Sequence, residues 1–342
     1  MPENFHIDPA DLPKESVIFG RTAAMREVRE SIGVILHVDS PVLIQGETGT
    51  GKELVAKFLH SHSDRREGPF LKLNCAATTA DVLERELFGC DTGSSPGSNF
   101  SKAGALEIAK GGTLFLTEIA EMEWSLQRKV FQLLQTGAYF PVGGVDKRRA
   151  NVRVVCGAAT DLAGAVNKGR FRPDLFASFE TACLRLLALR DRKEDIAELW
   201  DFFAQELAKK FRKSAPQLTP AVLQLLQEWN WPGNLRELEN GIARVVILGD
   251  ERALAAELRR QMALTEGQRK RQSEVAHSGT VYSQTPSKAA DVAILKVLQA
   301  NHWNKRKTAE ELKMSYRSLL SKLRDTGAPR RRRGHRDFPP LP

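Results

Sequence analysis

The octet Gly46-Glu47-Thr48-Gly49-Thr50-Gly51-Lys52-Glu53 has the residue types and spacing of a phosphate cradle. Its glycines let the backbone turn tightly enough for N–H groups to face an anion, and Lys52 adds a point charge for β- and γ-phosphates. The octet follows the apolar run Pro41-Val42-Leu43-Ile44 and opens into Leu54-Val55-Ala56-Lys57-Phe58-Leu59. Strand, loop and helix therefore stand in the order that places the positive end of a helix dipole behind the bound charge. Nucleotide binding is the first reading, and a plain glycine-rich turn is the alternative. Glu53 occupies the place where Ser or Thr usually holds magnesium in such loops.

The elements that must position this cradle can be read from apolar patterning. Further strands are expected at Phe70-Leu71-Lys72-Leu73-Asn74, Thr113-Leu114-Phe115-Leu116 and Val152-Arg153-Val154-Val155, separated by helical patterns near 79–88 and 124–136. Short apolar runs alternating with helices predict a parallel sheet covered on both faces, with ligand at the carboxyl ends of its strands. From Arg192 the character changes. Ile196, Leu199, Trp200, Phe203, Leu207 and Phe211 fall at helical spacing, and 219–229 and 234–248 continue in the same manner, predicting a small all-helical unit. Residues 261–288 lack apolar periodicity and are expected to form a flexible linker.

Charge is unevenly placed. Residues 289–342 hold thirteen Lys/Arg against five Asp/Glu, which accounts for +8 of the chain's net +9. Such a local excess points to a polyanionic partner, with a solvated basic tail as the alternative. Cys75, Cys90, Cys156 and Cys183 form no C-x-x-C pair, so neither a zinc site nor a disulfide framework is indicated. No apolar run approaches the roughly 20 residues of a membrane span, and Met1 to Asp11 is unlike a signal peptide, so a cytoplasmic protein without membrane contact is expected.

Five spaced motifs, in order, resemble the AAA+ bacterial enhancer-binding proteins that activate sigma-54 RNA polymerase. They are the cradle itself, Asn74-Cys75-Ala76-Ala77, Glu86-Leu87-Phe88-Gly89, Gly111-Gly112-Thr113-Leu114-Phe115-Leu116, and Trp231-Pro232-Gly233-Asn234-Leu235-Arg236-Glu237-Leu238-Glu239-Asn240. In that family Glu53 is normal. The resemblance implies an α/β AAA+ P-loop subdomain with a parallel sheet over 16–190 and an all-α lid over 191–260. It also implies ATP as cofactor, with or without Mg2+, and a homo-oligomer, a ring or a dimer. A polar lead-in at 1–15 would leave no room for an N-terminal sensor domain. By the same resemblance Gly46, Glu47, Thr48, Gly49, Thr50, Gly51, Lys52 and Glu53 bind the nucleotide, and Arg236 reaches the γ-phosphate from the lid. Glu118 polarises the attacking water, Asn74 switches that glutamate, and Arg172 serves as an arginine finger to the neighbouring subunit. Taken alone, Glu118 also fits an exposed carboxylate after a strand, and Arg172 a surface ion pair.

Departures from the family pattern fall on the catalytic positions. Thr117 replaces an aspartate, Ala158-Ala159 replace a Thr-Asn pair, Ser178 replaces a second arginine finger, and Pro173 intrudes into the same segment. The loop that touches the sigma factor aligns with Gly93-Ser94-Ser95-Pro96-Gly97-Ser98, without its aromatic anchor. A hydroxyl cannot replace a carboxylate that holds magnesium, and arginine fingers are worth roughly three to five orders of magnitude in rate. The expectation is a degenerate member that binds ATP and hydrolyses it poorly.

At the C-terminus, 289–326 resembles the Fis-type helix-turn-helix of the same family, followed by a disordered Arg-rich tail at 327–342. Ser315, Tyr316, Arg317, Ser318, Ser321 and Lys322 would lie on or cap the recognition helix, with Lys305, Arg306 and Lys307 on phosphates. A basic interaction module that does not touch DNA is the alternative. Double-stranded DNA is thus the expected partner of a transcriptional regulator. Two further readings stay open: a working ATP-hydrolysing activator of sigma-54 polymerase, and a non-catalytic subunit that regulates an intact paralogue.

Overall fold

The computed structural model describes residues 3–5, 7–91, 101–282, 297, 307–309 and 319. The chain divides into two compact units, Met1–Met262 and Ala263–Pro342. The first carries eight strands among its described residues: β1 Glu3–Phe5, β2 Val42–Gln45, β3 Phe70–Asn74, β4 Thr113–Thr117, β5 Ala138–Tyr139, β6 Arg148–Arg149, β7 Arg153–Ala158 and β8 Cys183–Arg185. Six make one sheet in the order β1-β3-β4-β7-β2-β8, and β5 and β6 form a separate antiparallel pair.

From β3 to β8 every pairing in the main sheet is parallel. Period-two alternation shows why. In β4, Leu114 and Leu116 enter one core while Phe115 enters the other; in β7, Val154 and Cys156 oppose Val155; in β2, Leu43 opposes Val42 and Ile44. Both faces are thus buried. Helices Ala80–Phe88 and Trp124–Thr136 cover the first face, and Ala23–Ile35 and Lys52–Ser61 the second. Phe115 is 1% exposed, and its truncation to Ala would cost about 3–5 kcal/mol.

Two short edge strands depart from the patterning. Residues 1–15, expected as a polar lead-in, contain β1, which pairs antiparallel with β3. β8 buries only Leu184 of its three residues, so it has no apolar run to announce it. Both gain their strand geometry from the neighbour that supplies the ladder, not from their own composition.

The lid follows on helices Ile196–Phe211, Pro220–Glu228 and Asn234–Leu248, packed about the buried Trp200, Trp231, Leu238 and Ile242. A fourth helix, Glu251–Tyr282, corrects the expectation of a flexible linker from 261. Its first part buries Leu254, Ala255 and Leu258 in the lid core with Met262 packed against them, and beyond Met262, where apolar periodicity ends, the Ala, Glu, Gln, Lys and Arg of 263–272 retain high helix propensity. Among the described residues no helix is long and apolar enough to cross a membrane, and all four cysteines are free thiols.

Candidate nucleotide site

β2 ends where the cradle starts, and the Gly46 N–H donates to Ala158 O at 3.1 Å, tying the loop to the end of β7. The loop then needs two left-handed residues, Gly49 at φ +83° and Gly51 at φ +101°, where a side chain would be strained. Gly51 is the N-cap of helix Lys52–Ser61, so Lys52 stands at its first position. Lys52 Nζ donates to Gly46 O at 2.6 Å and Glu47 O at 3.1 Å. Burial lowers the Lys52 pKa, opposed by the Glu118 carboxylate and reinforced by Arg236. A phosphate chain meeting this ammonium would restore the charge compensation that burial removes.

Not all of the octet faces a ligand. Thr50 Oγ1 donates to Glu47 O at 2.8 Å, and the Glu47 carboxylate accepts from Arg190 at 2.8 and 2.5 Å. Those hydrogen bonds hold the Glu47 carboxyl at about 2. Glu53 pairs with Lys57 at 2.9 Å and Lys72 at 2.6 Å. Burial raises its pKa, but the two lysines outweigh that and keep it below the ordinary value.

A cleft of 480 Å³ opens beside the cradle and brings Lys52, Asn74, Thr117, Glu118 and Arg236 to one wall or another. Asn74 and Thr117 are register partners at the carboxyl ends of β3 and β4. Asn74 Oδ1 accepts from Ala76 N–H at 3.0 Å, and the Thr117 carbonyl accepts from Cys75 N–H at 3.0 Å. Glu118 follows in a left-handed conformation, φ +53°, which costs a non-glycine residue on the order of 1 kcal/mol or more. Ala158 is wholly buried, so its methyl belongs to the core and its carbonyl alone serves the cradle.

Arg236 is placed by the Trp-Pro-Gly-Asn turn. Trp231 and Asn234 are both left-handed, at φ +48° and +53°. Trp231 Nε1 donates to Leu226 O at 2.7 Å; the Glu237 carboxylate accepts from Trp229 Nε1 and from Gly233 N–H, each at 2.8 Å. Glu237 thereby satisfies a donor at the start of helix Asn234–Leu248, as a capping carboxylate does. Asn234 stands in the fifth motif without an assigned role, and Arg190 and Arg192 in none, although all three contact the cradle; their contacts join residues some 140 to 190 positions apart in the chain.

Arg172 does not line this cleft. Its guanidinium is paired with Asp174, Nε to Oδ1 at 2.9 Å and Nη2 to Oδ2 at 2.5 Å, and lies 5.3 Å from the Trp124 ring centroid. Its backbone N–H donates to Gln127 Oε1 at 2.8 Å, and the buried Gln127 Nε2 donates to Met122 O and Arg170 O. One amide thus joins the segment after Glu118 to the segment before Arg172. Pro173, expected to intrude, instead occupies the first position of helix Pro173–Ala177, where its missing N–H has no helical partner to lose. Ser178 caps that helix with Oγ donating to Asp174 O at 3.2 Å.

The loop Gly93 to Ser98 lies outside the described residues, as do Lys305, Arg306, Ser315, Tyr316, Arg317, Ser318, Ser321 and Lys322. Lys307 is helical and exposed, next to buried Thr308 and Ala309.

A parallel sheet with a glycine-rich cradle between strand and helix, beneath a helical lid that presents an arginine, defines an AAA+ P-loop domain. Residues 18–185 match the Sigma-54 interaction domain, 190–275 the AAA+ ATPase lid domain, and 292–325 the bacterial regulatory protein, Fis family. The chain belongs to the sigma-54-interacting AAA+ family of transcriptional regulators. It is 42% identical over 242 residues to the Nif-specific regulatory protein of Rhizobium leguminosarum bv. trifolii, covering 69% of this chain and 68% of that one. To the DNA-binding transcriptional regulator NtrC of Rhizobium meliloti (strain 1021) it is 40% identical over 241 residues, which is 70% of this chain but half the length of that relative. Among solved structures, NtrX from Brucella abortus in complex with ATP matches at 32% identity and a TM-score of 0.63, over 90% of this chain and 69% of that one.

Proposed function

We propose that this protein is a DNA-bound transcriptional regulator that holds ATP in the Gly46–Glu53 cradle and hydrolyses it poorly. Nucleotide then serves chiefly to hold an oligomer together. The observation that carries this reading is the composition of one cleft: Lys52 and Arg236 line it together with Thr117 at the end of β4, while β7 ends in the buried Ala158. The ATP-bound NtrX relative supports the ligand. Residues 289–326 would carry double-stranded DNA, supported by the Fis-family match.

The residues do not form an all-protein magnesium cage, and an ion arriving with the nucleotide would be held chiefly by its phosphates and water. Among the described residues no three His, Cys, Asp or Glu side chains converge on a metal position, and both oxygens of Glu53 are engaged by lysines. Catalysis by this chain would rest on what its own groups do. Lys52 and Arg236 would neutralise developing charge, and Glu118 would orient a water.

A second reading, a working activator of sigma-54 polymerase, is favoured by the presence of Glu118 and Asn74 at the cleft. Measuring ATP binding and phosphate release on one preparation, with and without DNA, separates the two. Binding without appreciable release is the expected result; release at rates ordinary for such ATPases, abolished by Lys52→Ala, would establish the second reading instead.

A further inference from the structure

Three consecutive carbonyls of the cradle are taken by residues of the lid and of the segment leading into it. Thr48 O accepts from Asn234 Nδ2 at 3.0 Å, Gly49 O from the Leu235 N–H at 3.0 Å, and Thr50 O from Arg192 Nη2 at 3.3 Å. Asn234 is fully buried and uses its whole amide: Nδ2 also reaches the Glu47 carboxylate at 3.2 Å, and Oδ1 accepts from Leu189 N–H at 2.8 Å. Arg190 closes the group with two bonds to Glu47. At Gly49 a Cβ would lie 2.3 Å from Gly233 O, so the lid touches the cradle backbone directly.

These anchors have a consequence for the opposite end of each peptide plane. In a trans peptide the carbonyl and the following N–H point in opposite directions. Fixing Thr48 O and Thr50 O toward the lid therefore turns the N–H groups of Gly49 and Gly51, two residues of the cleft wall, away from those anchors. We propose that Asn234, with Glu47 and Arg190, is a positioning joint: it orients the cradle's peptide planes for an anionic phosphate chain and, two residues ahead of Arg236, fixes where that guanidinium stands. The proposal rests on the nucleotide reading for its ligand. Its geometry does not, because the anchors exist without any ligand. In this view Glu47 binds no nucleotide itself and acts through the lid.

Two measurements on the full chain test the joint. Without nucleotide, hydrogen exchange of the bonded amides of the joint, Thr50 to Glu47 O, Leu235 to Gly49 O and Leu189 to Asn234 Oδ1, is expected to quicken about tenfold in Asn234→Ala, because losing a buried hydrogen-bonding group lowers the local opening cost. With fluorescent mant-ATP as probe, the dissociation constant is expected to rise about tenfold in Asn234→Ala and in Arg236→Ala, but not to multiply in the double variant. That non-additivity separates positioning from a merely structural role, which would give independent losses. Arg190→Ala, at a partly exposed position, carries the same pair of measurements should Asn234→Ala fail to fold. Unchanged exchange in the variants, or losses that multiply, would overturn the joint. Failure of the wild type to bind mant-ATP would instead remove the nucleotide reading, while the exchange measurement still decides whether the cradle is held from the lid.

Discussion

The cradle with its lid and the strand ends beside it form two walls of the same cleft, and they differ in chemistry. On the cradle side three carbonyls, the Glu47 carboxylate and the Lys52 ammonium have partners within the chain. On the strand side Asn74, Thr117 and Glu118 line the cleft, while Ala158 at the end of β7 is buried away from it. Binding a polyanion requires fixed donors and positive charge, which the first wall holds. Turning over a phosphoanhydride needs charge placed where it develops in the transition state, and on the second wall the Glu118 carboxylate stands next to a neutral hydroxyl at Thr117. On the proposed reading the cleft keeps its affinity and loses rate, because the two properties reside on different elements.

Restoring the strand wall should produce the largest change. Thr117→Asp is expected to raise phosphate release by about a hundredfold, the scale on which single preorganised electrostatic groups act. An unchanged rate would show that β4 is not where turnover is limited. Removing the other wall comes next. At a hundredfold excess of ATP over its dissociation constant the wild type should gain about 2.7 kcal/mol of stability, visible as a higher melting temperature, and Lys52→Ala should gain none.

A pH dependence sharpens the cradle side. Arg190 lowers the Glu47 carboxyl from its ordinary 4.5 to about 2. A carboxylate depressed in the folded state stabilises fully above its unfolded pKa, so the contribution is complete above about pH 4.5 and fades as pH falls toward 2. Melting temperature should thus drop more steeply across that interval in the wild type than in Glu47→Gln, and the two curves should run parallel above it. The smallest effect is expected at Arg172, which pairs with Asp174 outside the cleft. Arg172→Ala should leave the mant-ATP affinity of the isolated subunit unchanged; a loss there would place the guanidinium in its own chain's site.

Strand and helix order were legible because both depend on patterns a few residues long. Val42 to Gln45, Phe70 to Asn74, Thr113 to Thr117 and Arg153 to Ala158 carry enough apolar residues for burial on both faces, and helices Ala80–Phe88 and Trp124–Thr136 fall where their periodicity predicts. The same logic failed for β1 and β8, whose pairing comes from a neighbouring strand, and for the part of Glu251–Tyr282 beyond Met262, where helix propensity persists after the apolar stripe ends. Pro173 was misjudged because a proline's effect depends on its position in a helix, and only the fold reveals that it is first.

Residue types alone determined that this chain has a cradle, a lysine at the head of its helix, a lid arginine, and no carboxylate at Thr117. Tertiary structure decided what each member of the octet does. It turned Glu47 toward Arg190 and Asn234 and off the cleft, and it tied Glu53 to Lys57 and Lys72 on the cleft wall that Gly49 and Lys52 share. The reason is reach. A motif records neighbours along the chain, whereas the Glu47 to Asn234 contact spans 187 positions and exists only once the lid has folded over the sheet.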